Sequence, residues 1–343
     1  MKFWFTKGVW TRKNADKKIA NISYADVKSI AILRHAALGD MVLTRNFIIE
    51  AKKLFPNAKI TISVISNYTR GIPHDLVDRV HIIHGTDQRK TPLLTRIKKI
   101  RELGYQDFIF DLACGNRSFL TCMFTPALLK FGFPYRTIRA WMFYDVAICR
   151  SDLIFEVDNM LSMLHLLGAK TVYPHVYNMP GEDMKHDRPY VVYFPGASEP
   201  SKCWPREYFS QLIEQMSKKY PDRDHLILNG LKDWERAENI IDSIQDTINI
   251  KAVDADTIEE TTALMKGADL LVSNDTGVRH VAITSNTPTV GIFIGGPYRY
   301  WPRYDIHDAV FPGEKNQTVP VNEVYKACIG LLDNRQLQHT DDA

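Results

Sequence analysis

The stretch 29–34, Ser29-Ile30-Ala31-Ile32-Leu33-Arg34, runs through the turn His35-Ala36-Ala37-Leu38-Gly39-Asp40 into an amphipathic segment, and this succession decides the fold. Six residues, Ser29 to Arg34, rich in isoleucine and leucine and followed by a turn, read as a buried strand. Over 41–55 the apolar Leu43, Phe47, Ala51 and Leu54 fall on one face at helical spacing, and Pro56 stops the helix. A strand feeding a helix is half of a βαβ unit, and the same rhythm continues outward. It predicts strands at 59–66, 80–83 and 108–112 and a helix at 92–103. Between 167 and 189 the pattern lapses into Gly168, Pro174, Pro180, Gly181 and Pro189, the composition of an interdomain connection. It then restarts with strands at 190–194, 226–228, 270–273 and 289–293 and helices at 205–219, 233–245 and 277–285. A last helix, 321–332, is free in sequence terms to return to the first domain.

The expected organisation is therefore an N-terminal extension at 1–28, a Rossmann-like domain at 29–167, a linker at 168–189, a second Rossmann-like domain at 190–320 and a C-terminal helix with its tail at 321–343. The fold class is α/β, with two parallel sheets facing a central cleft. In open sheets of this kind ligands bind outside the carboxyl ends of the strands, so the turns after those strands carry the search for chemistry.

Length and composition agree. The chain has 343 residues, 45% of them hydrophobic and 24% charged, which suits two ordinary globular domains. With 43 Lys plus Arg against 40 Asp plus Glu, the net charge of +3 lacks the basic excess used to neutralise nucleic-acid phosphates. The longest apolar runs fall short of the roughly 20 residues that span a bilayer. Five cysteines (114, 122, 149, 203, 328) with no CxxC pair argue against a disulfide framework or a structural zinc site and fit a cytoplasmic address. Asn-x-Ser/Thr triplets at Asn21, Asn67, Asn116, Asn274 and Asn316 read as chance without a secretory segment. Residues 1–28 are the compositional exception: Lys2, Lys7, Arg12, Lys13, Lys17, Lys18 and Lys28 are interleaved with Phe3, Trp4, Phe5 and Trp10. This is either a segment packed on the first domain or an interfacial anchor for anionic lipid.

Three turns hold the candidate chemistry. Asp40, at the mouth of the first helix, is either an N-cap stabilised by the helix dipole or a base that accepts a proton from a hydroxyl. The turn 195–205 offers small Gly196 and Ala197, the hydroxyls of Ser198 and Ser201, and Lys202 just before a helix that opens at Pro205. It suits a diphosphate or is a plain surface loop. In the turn 273–280, the amides of Thr276 and Gly277 point out of a helix N-terminus toward phosphate oxygens, while Asp275 either caps that helix or accepts hydrogen bonds from sugar hydroxyls. His280 is either a donor contact or a packed helical residue. GxGxxG, Walker A, HExxH and GxSxG are absent, which removes the usual support for dehydrogenase, P-loop NTPase, zincin and serine-hydrolase readings. The pair Asp254-Ala255-Asp256 lies on a polar connection and reads as chance rather than as a metal site.

Three segments in register resemble the ADP-heptose:lipopolysaccharide heptosyltransferase family, glycosyltransferase family 9. They are LGDMVLTRNFIIEAKKLFPNAKITISV at 38–64, FPGASEPSKCWPREYFSQLIEQ at 194–215 with LNGLKDWERA at 228–237, and DLLVSNDTGVRHVAITSNTPTVGIFIGGP at 269–297; YQDFIFDLACGNRS at 105–118 is a weaker match. The resemblance implies a GT-B fold and an inverting transfer, without a metal or other cofactor, from a nucleotide-diphosphate sugar to a lipid-linked saccharide of the lipopolysaccharide core. ADP-heptose is the default donor, and the address is the cytoplasmic face of the inner membrane. It implies Asp40 as the base, with Gly196, Ala197, Ser198, Lys202, Asp275, Thr276, Gly277 and His280 at the donor. Asp233 is the loosely spaced candidate for the ribose, and Arg34, His35 and Arg117 are candidate acceptor contacts.

Departures from the family pattern are Val278-Arg279 after the Asp-Thr-Gly turn and the aromatic, basic loop GGPYRYWPR at 295–303. Arg279, Arg299 and Arg303 either add charge for an acidic sugar or a phosphorylated acceptor, or are ordinary surface residues. Two other functions share the architecture: a nucleotide-sugar epimerase, which needs no acceptor, and an inactive nucleotide-sugar-binding homologue.

Overall fold

The computed structural model describes residues 8–134, 137–245, 248–295, 298–314 and 317–341. Lys2, Phe3, Trp4, Phe5 and Lys7 of the N-terminal segment, Gly296 and Pro297 of the late loop, and Asn316 lie outside the described residues. The chain divides into two compact units, 1–177 and 178–343.

The first unit is a seven-stranded sheet in the order β1-β7-β6-β5-β2-β3-β4. Its strands are β1 (Val9–Thr11), β2 (Ser29–Leu33), β3 (Lys59–Ile65), β4 (Arg79–Ile83), β5 (Gln106–Asp111), β6 (Ala127–Gly132) and β7 (Val146–Ile148). All neighbours run parallel except β1, which is antiparallel to β7. The continuous apolar run of β2 has its physical reason here, because β2 is flanked by β3 and β5 and buried from Ile30 to Leu33. The described part of the N-terminal extension is built into this sheet. Trp10 pairs with Ala147 and packs on the cluster of Ala31, Ile109 and Tyr144, and the Arg12 side chain bonds Asp145 at 3.1 Å.

The second unit is a six-stranded, wholly parallel sheet in the order β10-β9-β8-β11-β12-β13. Its strands are β8 (Tyr190–Phe194), β9 (Asp224–Leu228), β10 (Ile250–Val253), β11 (Leu270–Asn274), β12 (Thr289–Ile292) and β13 (His307–Val310). Trp204, Phe209, Leu212 and Met216 pack against Tyr193, Val272 and Val290 in its core. The closing helix, Val321–Asp341, buries Val324, Cys328 and Leu332 in this same core, so its apolar stripe is covered within its own unit.

The expected helix at 233–245 is not continuous. A short 3-10 turn, Asp233–Glu235, is followed by the four-residue helix Glu238–Ile241. Two local bonds break it: Gly230 N donates to Glu235 O, and Asn229 Oδ1 takes the amide of Ala237. The connection 168–189 is fastened rather than loose. Arg45 Nε and Asn46 Nδ2 hold the carbonyls of Tyr177 and Val176 in the first unit, while Met184 N donates to Ala263 O in the second.

Both sheets reverse direction at one place. In the first, the chain builds outward from β2 through β3 to β4 and then from β5 through β6 to β7, so the switch lies between β2 and β5. In the second it lies between β8 and β11. These are the crevices where doubly wound sheets take ligands, and the turns singled out by sequence leave the sheets there.

Candidate active site

At the first switch point the helix after β2 runs from Leu38 to Leu54, three residues earlier than its apolar periodicity indicates. Extended Ala37 is the N-cap, which corrects the capping reading of Asp40: the aspartate stands inside the first turn. Its carboxylate still gains from the helix dipole, but Oδ1 accepts a hydrogen bond from Arg34 Nη2 at 2.8 Å. Arg34 Nε donates to Asp40 O at 3.2 Å and Nη1 to Leu112 O at 2.6 Å, so a guanidinium only 1% exposed ties the turns after β2 and β5 together. Asp40 is 24% exposed, leaving part of the carboxylate open to an incoming group. His35 follows Arg34; loss of water around its ring, aided by His81 and Arg117, pushes its pKa down to about 3, so it is neutral at physiological pH. Arg34, His35, Asp40 and Arg117 thus all follow the carboxyl ends of the central strands β2 and β5.

At the second switch point three turns meet. Asn274, the last residue of β11 and fully buried, donates from Nδ2 to Pro195 O at 2.7 Å and to Gly196 O at 3.1 Å, and its Oδ1 accepts from Trp204 N at 2.9 Å. One amide side chain therefore closes the whole turn from Pro195 to Trp204. From the turn after β9, Lys232 Nζ donates to Ser198 O at 2.8 Å and Trp234 Nε1 to Ala197 O at 3.3 Å. Gly196 is required by close approach, since a Cβ there would lie 2.8 Å from Glu235 Cγ and 2.6 Å from Phe194 Cζ.

Lys202 sits in the 3-10 turn Pro200–Lys202 with its ammonium in solvent, 59% exposed, 3.4 Å from Ser198 Oγ and 3.5 Å from the Glu199 carboxylate. Asp233 is exposed and its carbonyl accepts from Asn239. The carboxylate that lies against Gly196 and Gly230 belongs to buried Glu235, whose Oε2 accepts from Lys232 N at 3.2 Å. The 3-10 turn thus faces Glu235 inward and leaves Asp233, the ribose candidate, in solvent.

The helix Gly277–Thr284 begins at N-cap Thr276, whose Oγ1 is enclosed without a hydrogen-bond partner among the described residues. Asp275 precedes the cap and does not serve as it. Its Oδ1 accepts from Arg279 Nη2 at 2.8 Å and lies 3.9 Å from His280 Nε2. His280 is buried against Tyr300, with ring centroids 5.2 Å apart. The first amides of this helix remain free of intrahelical partners by construction, and with the Thr276 hydroxyl they form a set of donors suited to phosphate oxygens. Among the described residues no three His, Cys, Asp or Glu side chains are grouped to hold a metal ion, and no helix is long and apolar enough to cross a membrane.

The chain can now be set beside known proteins. The family model for Glycosyltransferase family 9 (heptosyltransferase) matches residues 96–327, about two-thirds of the chain. Lipopolysaccharide heptosyltransferase 1 of Campylobacter coli is 22% identical over 334 residues, covering 90% of this chain and 96% of its own length. Among solved structures, E. coli heptosyltransferase WaaC with ADP has a TM-score of 0.71 at 18% identity, with 88% of this chain and 99% of that one covered. The glycosyl transferase family 9 protein of Veillonella parvula DSM 2008 has a TM-score of 0.69 at 19% identity, covering 92% and 99%. These likenesses establish the fold, and the family match favours group transfer over the epimerase alternative. The chain is accordingly a glycosyltransferase and belongs to glycosyltransferase family 9, the heptosyltransferases.

Proposed function

We propose that this glycosyltransferase moves a heptose from ADP-heptose to the lipopolysaccharide core, with inversion and without a metal, at the cytoplasmic face of the inner membrane, which it contacts peripherally. The donor belongs to the second unit, with the diphosphate at Gly196, Ala197, Ser198, Thr276 and Gly277 and the sugar toward Asp275 and His280. Lys202 swings from solvent onto the departing diphosphate. The acceptor belongs to the first unit, near Arg34, His35 and Arg117.

In the reaction, Asp40 takes the proton from the acceptor hydroxyl as its oxygen attacks the anomeric carbon from the side opposite the diphosphate. The bond from that carbon to the diphosphate oxygen breaks, and ADP leaves with its growing negative charge held by Lys202 and the amides at the start of the helix Gly277–Thr284. One displacement inverts the anomeric centre and needs only one base. The observation that carries this reading is the half-open Asp40 carboxylate, held at 2.8 Å by a buried arginine at the switch point of its sheet.

The test is a pair of variants. Asp40→Ala loses about 10²- to 10⁴-fold in kcat with the donor Kd nearly unchanged, whereas Lys202→Ala raises the donor Kd. Turnover of ADP-heptose with retained anomeric configuration, or an Asp40→Ala enzyme of ordinary kcat, would refute it.

A further inference from the structure

The residue that holds Asp40 is itself held. Arg34 Nη2 carries two hydrogens, one directed to Asp40 Oδ1 at 2.8 Å and the other to Glu156 Oε1 at 3.2 Å. Glu156 opens the helix Glu156–His165 and is fully buried. Behind it stands Arg150, 7% exposed, which donates from Nε to Glu156 Oε2 at 3.1 Å and from Nη2 to Oε1. The result is a chain of alternating charge, Arg150–Glu156–Arg34–Asp40, that starts in the interior and surfaces at the candidate base.

Removing three such groups from water costs several kcal/mol apiece, and well-packed apolar residues commonly do as well or better for stability. A buried ionic chain is therefore weak as a device for holding the fold, and its open end says what it serves. An arginine alone beside Asp40 would favour the anion so strongly that it would accept a proton poorly. A second carboxylate on the same Nη2 offsets that pull, and the fixed planar fork of Arg34, with Nε and Nη1 committed to carbonyls, keeps the Asp40 oxygen in one place.

We propose that Glu156, backed by Arg150, is a positioning residue that sets the orientation and basicity of Asp40 through Arg34. This rests on the reading of Asp40 as the base. Among the described residues, several charged groups on the surrounding elements make bonds of their own. On the helix of Asp40, Arg45 pairs with Asp75; at the end of β5, Asp111 accepts from Tyr144; on the helix of Glu156, Asp158 bonds His175. His35 is neutral, burial and the Asp111 charge raise the Cys114 thiol out of reach of titration, and Arg117 lies in the helix Asn116–Phe124.

The experiment is the pH profile of kcat for Glu156→Gln, Arg150→Gln, the double variant and Asp40→Asn, with the donor KM measured alongside. Losing the Glu156 charge removes one of the two carboxylates bonded to Arg34 Nη2. The acid limb then moves down by about one pH unit and plateau kcat falls about tenfold, well short of the loss in Asp40→Asn. Losing the Arg150 charge moves the limb up, and the double variant returns it toward the starting enzyme. Donor KM stays within about twofold throughout, because no donor contact is touched.

Limbs that stay put in the folded variants, or that shift the same way in both single variants, overturn the proposal. An Asp40→Asn enzyme of ordinary kcat overturns the base reading and the proposal together; an inactive one with unmoved limbs in the others overturns the proposal alone. Should Glu156→Gln fail to melt cooperatively, the Arg150→Gln and double variants carry the same comparison.

Discussion

Replacing Asn274 by alanine tests how the second unit builds its turn. The side chain makes three hydrogen bonds, to Pro195 O, Gly196 O and Trp204 N, none with access to water through a residue that is 0% exposed. The alanine variant strands two carbonyls and one amide. Each buried group left without a partner costs about 1–3 kcal/mol. Because the three lie in one turn and can relax together, the total is expected at the low end of their sum, about 3 kcal/mol. For a unit of this size about 3 kcal/mol lowers the transition by roughly 6–12 °C. The turn also carries Gly196, Ala197, Ser198 and Lys202, so its loosening raises donor KM by about tenfold, equivalent to about 1.4 kcal/mol, while kcat changes less. Calorimetric melting and initial-rate kinetics at varied donor read the two effects separately. A melting transition that moves by under about 2 °C together with an unchanged donor KM would show that the prolines at 195, 200 and 205 shape this turn by themselves and that the amide is incidental.

Gly230 is the second place where backbone space is decisive. A Cβ there would stand 2.4 Å from Glu235 Cβ, which cannot swing away as a side-chain tip can, so Gly230→Ala is expected to cost about 1–3 kcal/mol and to loosen the contacts of Lys232 and Trp234 with the turn at Ala197 and Ser198. An unchanged melting temperature counts against it. Acid stability follows from two buried histidines of the second unit. Burial pushes His225 down to about 4, and burial with the nearby Arg279 charge pushes His307 down to about 3. The unfolded chain takes up these protons near pH 6.5 and the folded one does not. Their contribution is complete above that pH and declines as pH falls, by about 1.4 kcal/mol per unit for each, or about 4 kcal/mol for the pair at pH 5. Urea titrations from pH 7 to 5 measure the slope, and His225→Gln reduces it by about 1.4 kcal/mol per pH unit; a slope unaffected by that change refutes the assignment.

How much of this was legible in the sequence depends on where each element sits. The central strands β2 and β8 are flanked by neighbours on both sides, carry continuous apolar runs and are found within a residue of where patterning places them. The edges are different. Among the described residues β1 pairs over Val9–Thr11, and at β13 the run His307-Asp308-Ala309-Val310 lacks a continuous apolar pattern, because an edge strand need not bury both faces. β6 is obscured by Lys130, whose ammonium turns to the carbonyl of Cys122 while its backbone stays in the ladder. The helix Ile258–Lys266 is missing from the sequence reading, although a signal for it is there: the capping box in which Thr257 Oγ1 accepts from Glu260 N and the Glu260 carboxylate accepts from Thr257 N. The reverse error, the over-extended helix at 233–245, arose because Ile240, Ile241 and Ile244 have helical spacing. Periodicity cannot show that Asn229 intercepts an amide the helix would need.

At the sites, residue type located the turns but not the partners. Arg279 reads in sequence as a surface charge available to an acidic ligand. In the fold it is fully buried, with its guanidinium 4.8 Å from the Phe293 ring centre and its Cδ in the space left by Gly291, where a Cβ would lie 3.1 Å away. Nη2 is spent on Asp275 and Tyr300 O, so this charge neutralises the very carboxylate that would otherwise repel a diphosphate beside Thr276 and Gly277. On the proposed reading, an Asp just before this helix can stand next to phosphate because Arg279, inside the helix four residues on, pairs with it. The part of Asp275 is therefore read together with that of Arg279. In the loop at 295–303, Arg303 is exposed, its guanidinium 5.5 Å from the Trp301 ring centre. Salt screens a charge that stays in water, so whatever Arg303 adds to acceptor choice falls as ionic strength rises, whereas the Arg279 charge is held by Asp275.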